Sequence, residues 1–164
     1  MRNRFAFASS VLLLALVMSA SAHAQQVIFL IRHAEQGPPP EMALTEAGHR
    51  RATALARRLK DAGITAIYAT DAMRTQDTAA PIARTLALEP RLVPMKDIEA
   101  LVRRVRMEQP QGRVLIVNHS LNIAPILKAM GHTEELVVAR DDYEPLIVVV
   151  PRGDAPPLVV TLRL

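Results

Sequence analysis

The sequence predicts an α/β fold: a three-layer α/β/α sandwich around a mostly parallel sheet of about six strands. Three observations carry that prediction. Short runs rich in Val, Ile and Leu recur along the chain, each bounded by Gly, Pro, Asn or Asp. Helix-period segments follow most of them, and strand–helix–strand order implies right-handed crossovers between parallel strands. The runs are apolar at nearly every position, as strands covered by helices on both faces are.

In chain order the strands are predicted at "QVIFLI", "ITAIYA", "RLVP", "RVLIV", "PLIVVV" and "LVVTL". After the first, "LTEAGHRRATALARRLKDAG" opens on Thr45 as N-cap and closes at Gly63. Its Ala52, Leu55, Ala56 and Leu59 recur at i, i+3, i+4 and i+7, which makes one buried stripe. Further helices are predicted over "DAMRTQDTAAPIARTLAL", with a kink at Pro81, over "DIEALVRRVRM", and over "NIAPILKAMG", with Pro125 in the first turn. "GPPPEM" and "PRGDAPP" are short enough to be ordered loops, and no repeat or long linker divides the chain.

The first 24 residues stand apart. "MRNR" is basic, "FAFASSVLLLALVM" is apolar and "SASAHA" ends in small residues, the three-part pattern of a secretory signal with cleavage expected after Ala24. The apolar run is shorter than the roughly 20 residues a bilayer span needs. The expected mature domain is therefore Gln25–Leu164, periplasmic or secreted, with no stable membrane insertion after cleavage. Removing the signal takes Arg2 and Arg4 from 20 basic side chains set against 16 acidic, leaving a nearly balanced chain. With three Phe, two Tyr and no Trp there is little to stack on bases, so nucleic acid is not an expected partner. The absence of cysteine excludes disulfides and thiolate metal sites. The spacing of His33, His49, His119 and His132 matches no zinc pattern, and no metal or other cofactor is expected. The basic run Arg50, Arg51, Arg57, Arg58 and Lys60 recurs at helical spacing and reads most simply as a solvated face.

In parallel sheets ligands bind beyond the carboxyl ends of the strands, so the residues following each apolar run carry the chemistry. Arg32 and His33 follow "VIFLI". Thr70 follows "ITAIYA", with Arg74 at the start of the next helix. Asn118, His119 and Ser120 follow "RVLIV". Parallel strands bring all of these to one edge. Two guanidiniums and two imidazoles share a small site only if a dianion compensates their charge, and phosphate is that dianion.

The segments "LIRHAE", "LTEAGHRRA", "IYATDAMRTQDTAAPIA" and "VLIVNHS" resemble the successive motifs of the histidine phosphatase (phosphoglycerate mutase-like) superfamily, over Val27 to about Met130. The likeness is to its short, insertion-free phosphatases, some of which carry export signals. It implies the phosphoglycerate mutase-like α/β/α fold and a phosphomonoester hydrolase of the histidine acid phosphatase type, working without metal through a phosphohistidine. By the same resemblance His33 is the nucleophile, Arg32 and Arg74 clamp the phosphoryl oxygens, and His119 is the second catalytic histidine. Thr70 and Ser120 are hydroxyls that either touch phosphate or cap helices. Asn118 stands where the superfamily often has a small residue and is expected to narrow the site. Independently of the resemblance, a nucleophilic imidazole must be neutral, and neighbouring Arg32, Arg74 and His119 disfavour its protonation.

The leaving oxygen needs a proton donor, normally a carboxylic acid in this superfamily. Glu35, two residues beyond His33, is the first candidate. Asp97 and Glu99 are the second, Asp97 being equally suited to cap a helix, and the stretch Asp141–Glu144 is the third. The expected substrate is a phosphorylated small molecule or envelope phosphomonoester. A phosphohistidine-protein phosphatase, or a non-catalytic module that binds phosphate or phosphorylated glycans, are the alternatives.

Overall fold

The computed structural model describes residues 25–40 and 42–164; the predicted signal segment, residues 1–24, lies outside them. Six strands form one sheet: β1 (Val27–Arg32), β2 (Ala66–Thr70), β3 (Arg91–Val93), β4 (Arg113–Asn118), β5 (Pro145–Arg152) and β6 (Ala155–Arg163), in the order β3-β2-β4-β1-β5-β6. All six predicted strands are present. The first four are mutually parallel, whereas β5 runs antiparallel to β1 and β6 returns from β5 as a hairpin. The sheet is therefore mixed, with its parallel part at β3-β2-β4-β1.

Alternation along each strand sorts the core into two faces. Ile28 and Leu30 of β1, with Tyr68, Val114 and Ile116, pack on α3 (Ile98–Glu108) and α4 (Ser120–Ala129) through Leu101, Val102, Val105, Ile123, Ile126 and Leu127. On the other face Ile31, Ile67, Ala69, Leu115 and Val117 meet α1 (Glu46–Leu59) and α2 (Met73–Leu86) through Leu55, Ala56, Leu59, Ala79, Ile82 and Ala83. These are the three predicted layers.

Local signals explain most boundaries. Thr45 caps α1, its Oγ1 accepting from Gly48 N at 3.1 Å, and Gly63 follows at φ +68°, a left-handed conformation that glycine tolerates. The predicted stripe Ala52, Leu55, Ala56 and Leu59 is buried. Asp97 caps α3 by accepting from Ala100 N at 2.9 Å. The fourth helix starts earlier than predicted, at Ser120, which puts Pro125 inside it rather than in the first turn. An α-helix N–H at position 125 would bond the Leu121 carbonyl, so proline there removes one interior bond, a local cost that the buried Ile123, Ile126 and Leu127 offset.

Candidate active site

The carboxyl ends of β1, β2 and β4 lie side by side. Arg32 is in register with Asn118, and Ala69 with Val117. The chain leaving β1 is fixed at once: His33 N donates to the Asn118 carbonyl at 2.8 Å, and Ala34 N donates to Thr78 Oγ1 at 2.9 Å. Thr78 in turn donates to the Arg74 carbonyl at 2.7 Å, which ties the His33 loop to α2. His33, His119, Arg32 and Arg74 come together at the wall of one cavity of about 520 Å³, with Ser120, Arg140 and Tyr143 also in its lining.

His33 is 4% exposed, and its Nδ1 lies 2.8 Å from the Ala34 carbonyl. A carbonyl only accepts, so Nδ1 carries the proton and Nε2 keeps a free lone pair. Burial lowers the His33 pKa from 6.5 to about 4; the Ala34 hydrogen bond opposes the shift, and Arg32 and Arg74 add to it. His119, 7% exposed, has its ring centroid 5.3 Å from that of His33. Its pKa also falls to about 4, through burial first and then Arg74, His33 and Arg32, with Asp71 acting in the opposite sense. Both imidazoles are thus neutral near pH 7.

The tautomer of His119 also follows from its partners. Arg74 Nη2 lies 3.3 Å from Nδ1, and a guanidinium only donates, so Nδ1 accepts and Nε2–H donates to Thr70 Oγ1 at 3.0 Å. Thr70 is fully buried, and its Oγ1 also contacts Thr75 Oγ1 at 2.8 Å. Of the two predicted phosphate-contacting hydroxyls, Ser120 lines the cavity, whereas Thr70 stands behind His119 and orients it. Asn118 does not narrow the cavity as expected. Its Oδ1 is turned under α4 to accept from His119 N at 2.9 Å and Asn122 Nδ2 at 2.8 Å, so it holds the second histidine in place.

Arg32 and Arg74 each have a buried Nε without a hydrogen-bond partner. Buried donors are almost always satisfied, and two orphaned guanidinium nitrogens on one small cavity point to an oxyanion acceptor. Burial lowers the Arg32 pKa somewhat, with Tyr143, Asp141 and Glu35 acting in the opposite sense. The helices that begin here add to the positive field. α1 and α3 are capped by side chains, whereas α2 and α4 start without a side-chain cap. Their free N-terminal amides favour an anion.

The structure does not bring the predicted carboxylates to His33. Glu35 accepts from Arg51 Nε at 2.8 Å and lines a neighbouring cavity of about 430 Å³ beside α1. The reason is local: Thr45 N donates to the Glu35 carbonyl at 2.9 Å, and a Cβ at Gly48 would stand 2.2 Å from that oxygen. So close an approach of α1 brings Arg51 within reach of the Glu35 side chain. Asp97 is spent on its cap, and Glu99 is exposed on α3. In the third candidate stretch Asp142 and Glu144 pair with Arg163 at 3.1 and 3.0 Å, and Asp141 faces a separate surface cleft with Glu35 and Arg51. Among the described residues no carboxylate lines the His33 cavity.

What that stretch does deliver is Tyr143. Its ring centroid is 6.2 Å from that of His33, and the Arg32 guanidinium lies 3.8 Å over it, with Nη2 donating to the phenol oxygen at 3.1 Å. Reading only the residues that follow each strand misses it, because β5 is antiparallel to β1 and therefore begins where the parallel strands end. The signal was present in "DDYE", where an aromatic residue with a polar tip stands two positions before a buried strand.

A family profile described as "Histidine phosphatase superfamily (branch 1)" matches residues 28–96. No curated protein matches the sequence. Among solved structures, the protein histidine phosphatase SixA complexed with tungstate superposes with a TM-score of 0.69 at 14% identity, covering 84% of this chain and 96% of that one. A phosphoserine phosphatase from Entamoeba histolytica, in complex with 3-phosphoglyceric acid, gives 0.63 at 16%, covering 85% and 97%. A mycobacterial glucosyl-3-phosphoglycerate phosphatase complexed with VO3 gives 0.65 at 14%, covering 84% and 97%. At these identities the likeness shows a shared fold.

Proposed function

We propose that this chain, whose residues 28–96 match the histidine phosphatase superfamily (branch 1) profile and whose fold is that of SixA, is a phosphatase of that superfamily, hydrolysing phosphomonoesters through a covalent phosphohistidine on Nε2 of His33. The observation that carries the reading is the pairing of a neutral, tautomer-fixed His33 with two guanidiniums whose buried Nε groups have no partner. Arg32 and Arg74 hold the equatorial oxygens of the phosphoryl group, and phosphoryl transfer depends mainly on such positioning and charge stabilisation. Nε2 forms a bond to phosphorus as the bond to the leaving oxygen breaks. Water then attacks the phosphohistidine, the P–N bond breaks, and phosphate leaves with His33 restored. His119, its Nε2–H donating to Thr70 and its Nδ1 accepting from Arg74 Nη2, holds the Arg74 fork in place beside those oxygens. The chemistry is assigned to these side chains without a metal, in an exported domain beginning at Gln25.

A pure phosphate receptor would bind better with imidazolium than with imidazole. Burial that keeps both histidines neutral supports a nucleophile over a binding module. A second reading, a phosphohistidine-protein phosphatase, is favoured by the lack of a carboxylate in the described lining. A protonated imidazole leaves without further help, and the tungstate complex of SixA belongs to a protein of that activity.

The test is to incubate purified Gln25–Leu164 with radiolabelled phosphomonoesters and with a phosphohistidine peptide, EDTA present, and to quench at early times. Acid-labile, base-stable label on wild type and none on His33→Ala is the expected result. Label on serine or aspartate, or turnover abolished by EDTA, overturns it. Hydrolysis of the phosphohistidine peptide alone decides for the second reading.

A further inference from the structure

We propose that the Tyr143 hydroxyl is the proton donor to the leaving oxygen and takes the proton back from the attacking water. The inference rests on the phosphohistidine reading and names a catalytic group within it. It starts from a census of exchangeable protons on the cavity wall among the described residues. Guanidiniums at Arg32, Arg74 and Arg140 do not release theirs. His33 spends its Nδ1 proton on the Ala34 carbonyl and uses Nε2 as nucleophile. His119 has its proton on Nε2, turned away to Thr70, and offers a lone pair on Nδ1. The Gln36 amide and the Ser120 hydroxyl are too weakly acidic to serve. Among the described residues that leaves a phenol, whose O–H both donates and accepts.

Tyr143 is placed to use it. Because Arg32 Nη2 can only donate, the phenol oxygen accepts at 3.1 Å and its own O–H remains available to another acceptor. The same guanidinium lies 3.8 Å over the ring, so the tyrosinate formed on proton transfer is stabilised where it arises. Arg32 thereby joins two tasks, holding the phosphoryl group and holding the conjugate base of its acid. An alkoxide is a far stronger base than a phenolate, so transfer from Tyr143 is downhill once the P–O bond has lengthened. In the first step P–O breaks, N–P forms and the Tyr143 proton moves to the departing alcohol. In the second, water loses a proton to tyrosinate as its oxygen bonds phosphorus and N–P breaks. Protons and charge balance over the cycle.

The test is rapid-quench measurement of His33 phosphorylation in Gln25–Leu164 and Tyr143→Phe, using butyl phosphate and p-nitrophenyl phosphate. The variant removes one oxygen and keeps the ring under Arg32. Phosphorylation from butyl phosphate should fall by about 100-fold or more, the usual worth of general acid catalysis. With p-nitrophenyl phosphate, whose leaving group needs no proton, it should fall by less than about 3-fold, and tungstate should bind the variant as it binds wild type. An equal fall on both substrates, with or without weakened tungstate binding, means that Tyr143 only positions Arg32 and overturns the proposal. So does a wild type that is phosphorylated by the aryl ester and never by the alkyl ester. A leaving-group-dependent loss in Glu41→Gln but not in Tyr143→Phe, at a position outside the described residues, overturns it as well. Absence of phosphohistidine from wild type with the aryl ester would instead sink the reading on which the proposal rests.

Discussion

Arg74 Nη2 donates to Nδ1 of His119 at 3.3 Å, so one guanidinium that is free to clamp an oxyanion also fixes the tautomer of the second histidine. Arg74 lowers the pKa of His119 and of His33 as well. In the proposed phosphatase the clamp and the protonation state of the site are therefore one device.

Arg74→Ala should therefore do two things at once. Loss of a charge-stabilising donor lowers kcat/KM by about 100-fold or more. Both histidines should titrate at higher pH than in wild type, which histidine ring NMR reads directly. Arg74→Lys should restore the low titration and recover little rate, because an ammonium keeps the charge without the planar fork. Recovery of full activity by lysine would show that charge alone suffices.

Stability should fall as pH drops. His33 and His119 titrate at about 4 in the folded chain, against the ordinary 6.5. Between those values the unfolded chain binds protons that the folded chain does not, so stability is full above about pH 6.5 and declines toward pH 4. Urea titrations at pH 7.5, 5.5 and 4.5 measure the slope. His33→Ala should flatten it, and an unchanged slope would contradict the buried neutral histidine.

Thr70→Val strands the His119 Nε2–H in a buried position, since the hydroxyl is its only protein acceptor among the described residues. The expected cost is about 1–3 kcal/mol of stability. With the ring no longer held, kcat should fall more than KM rises. Paired denaturation and steady-state kinetics test both parts.

Glu35→Gln should slow phosphorylation by alkyl and aryl phosphates equally and little, because its carboxylate pairs with Arg51 away from His33. Stability should change by about 1 kcal/mol or less, as for a partly exposed pair. A large loss confined to alkyl phosphates would return Glu35 to the chemistry.

Gly48→Ala places a Cβ 2.2 Å from the Glu35 carbonyl oxygen, which is backbone and cannot swing aside. The substitution should cost at least about 1–3 kcal/mol, as overpacking does. It should also disturb the loop leaving His33, so that a fall in Tm is accompanied by a fall in kcat. Activity intact at wild-type Tm would mean that α1 and the loop move apart freely.

Much of this protein is written in local pattern. The continuous apolar runs, the stripe Ala52–Leu55–Ala56–Leu59 and the caps at Thr45 and Asp97 depend on residues a few positions apart. So does the rule that parallel strands present their chemistry at their carboxyl ends, which picks out Arg32, His33, Arg74 and His119 before any coordinates. Other features depend on how strands pair and how closely elements approach. The direction of β5 cannot be read from "PLIVVV", since a buried strand is apolar in either direction. Yet that direction sets Tyr143 against Arg32 instead of at the far edge. Glu35 is drawn to Arg51 because glycine at 48 lets α1 touch the loop. Thr70 and Asn118 face the histidines from behind, a question of side-chain direction across neighbouring strands. Sequence alone determined which polar side chains stand at the ends of the parallel strands, because periodicity and strand ends are local. Only tertiary structure decided which groups share a cavity, because strand direction and helix approach are set by packing between segments far apart in the chain.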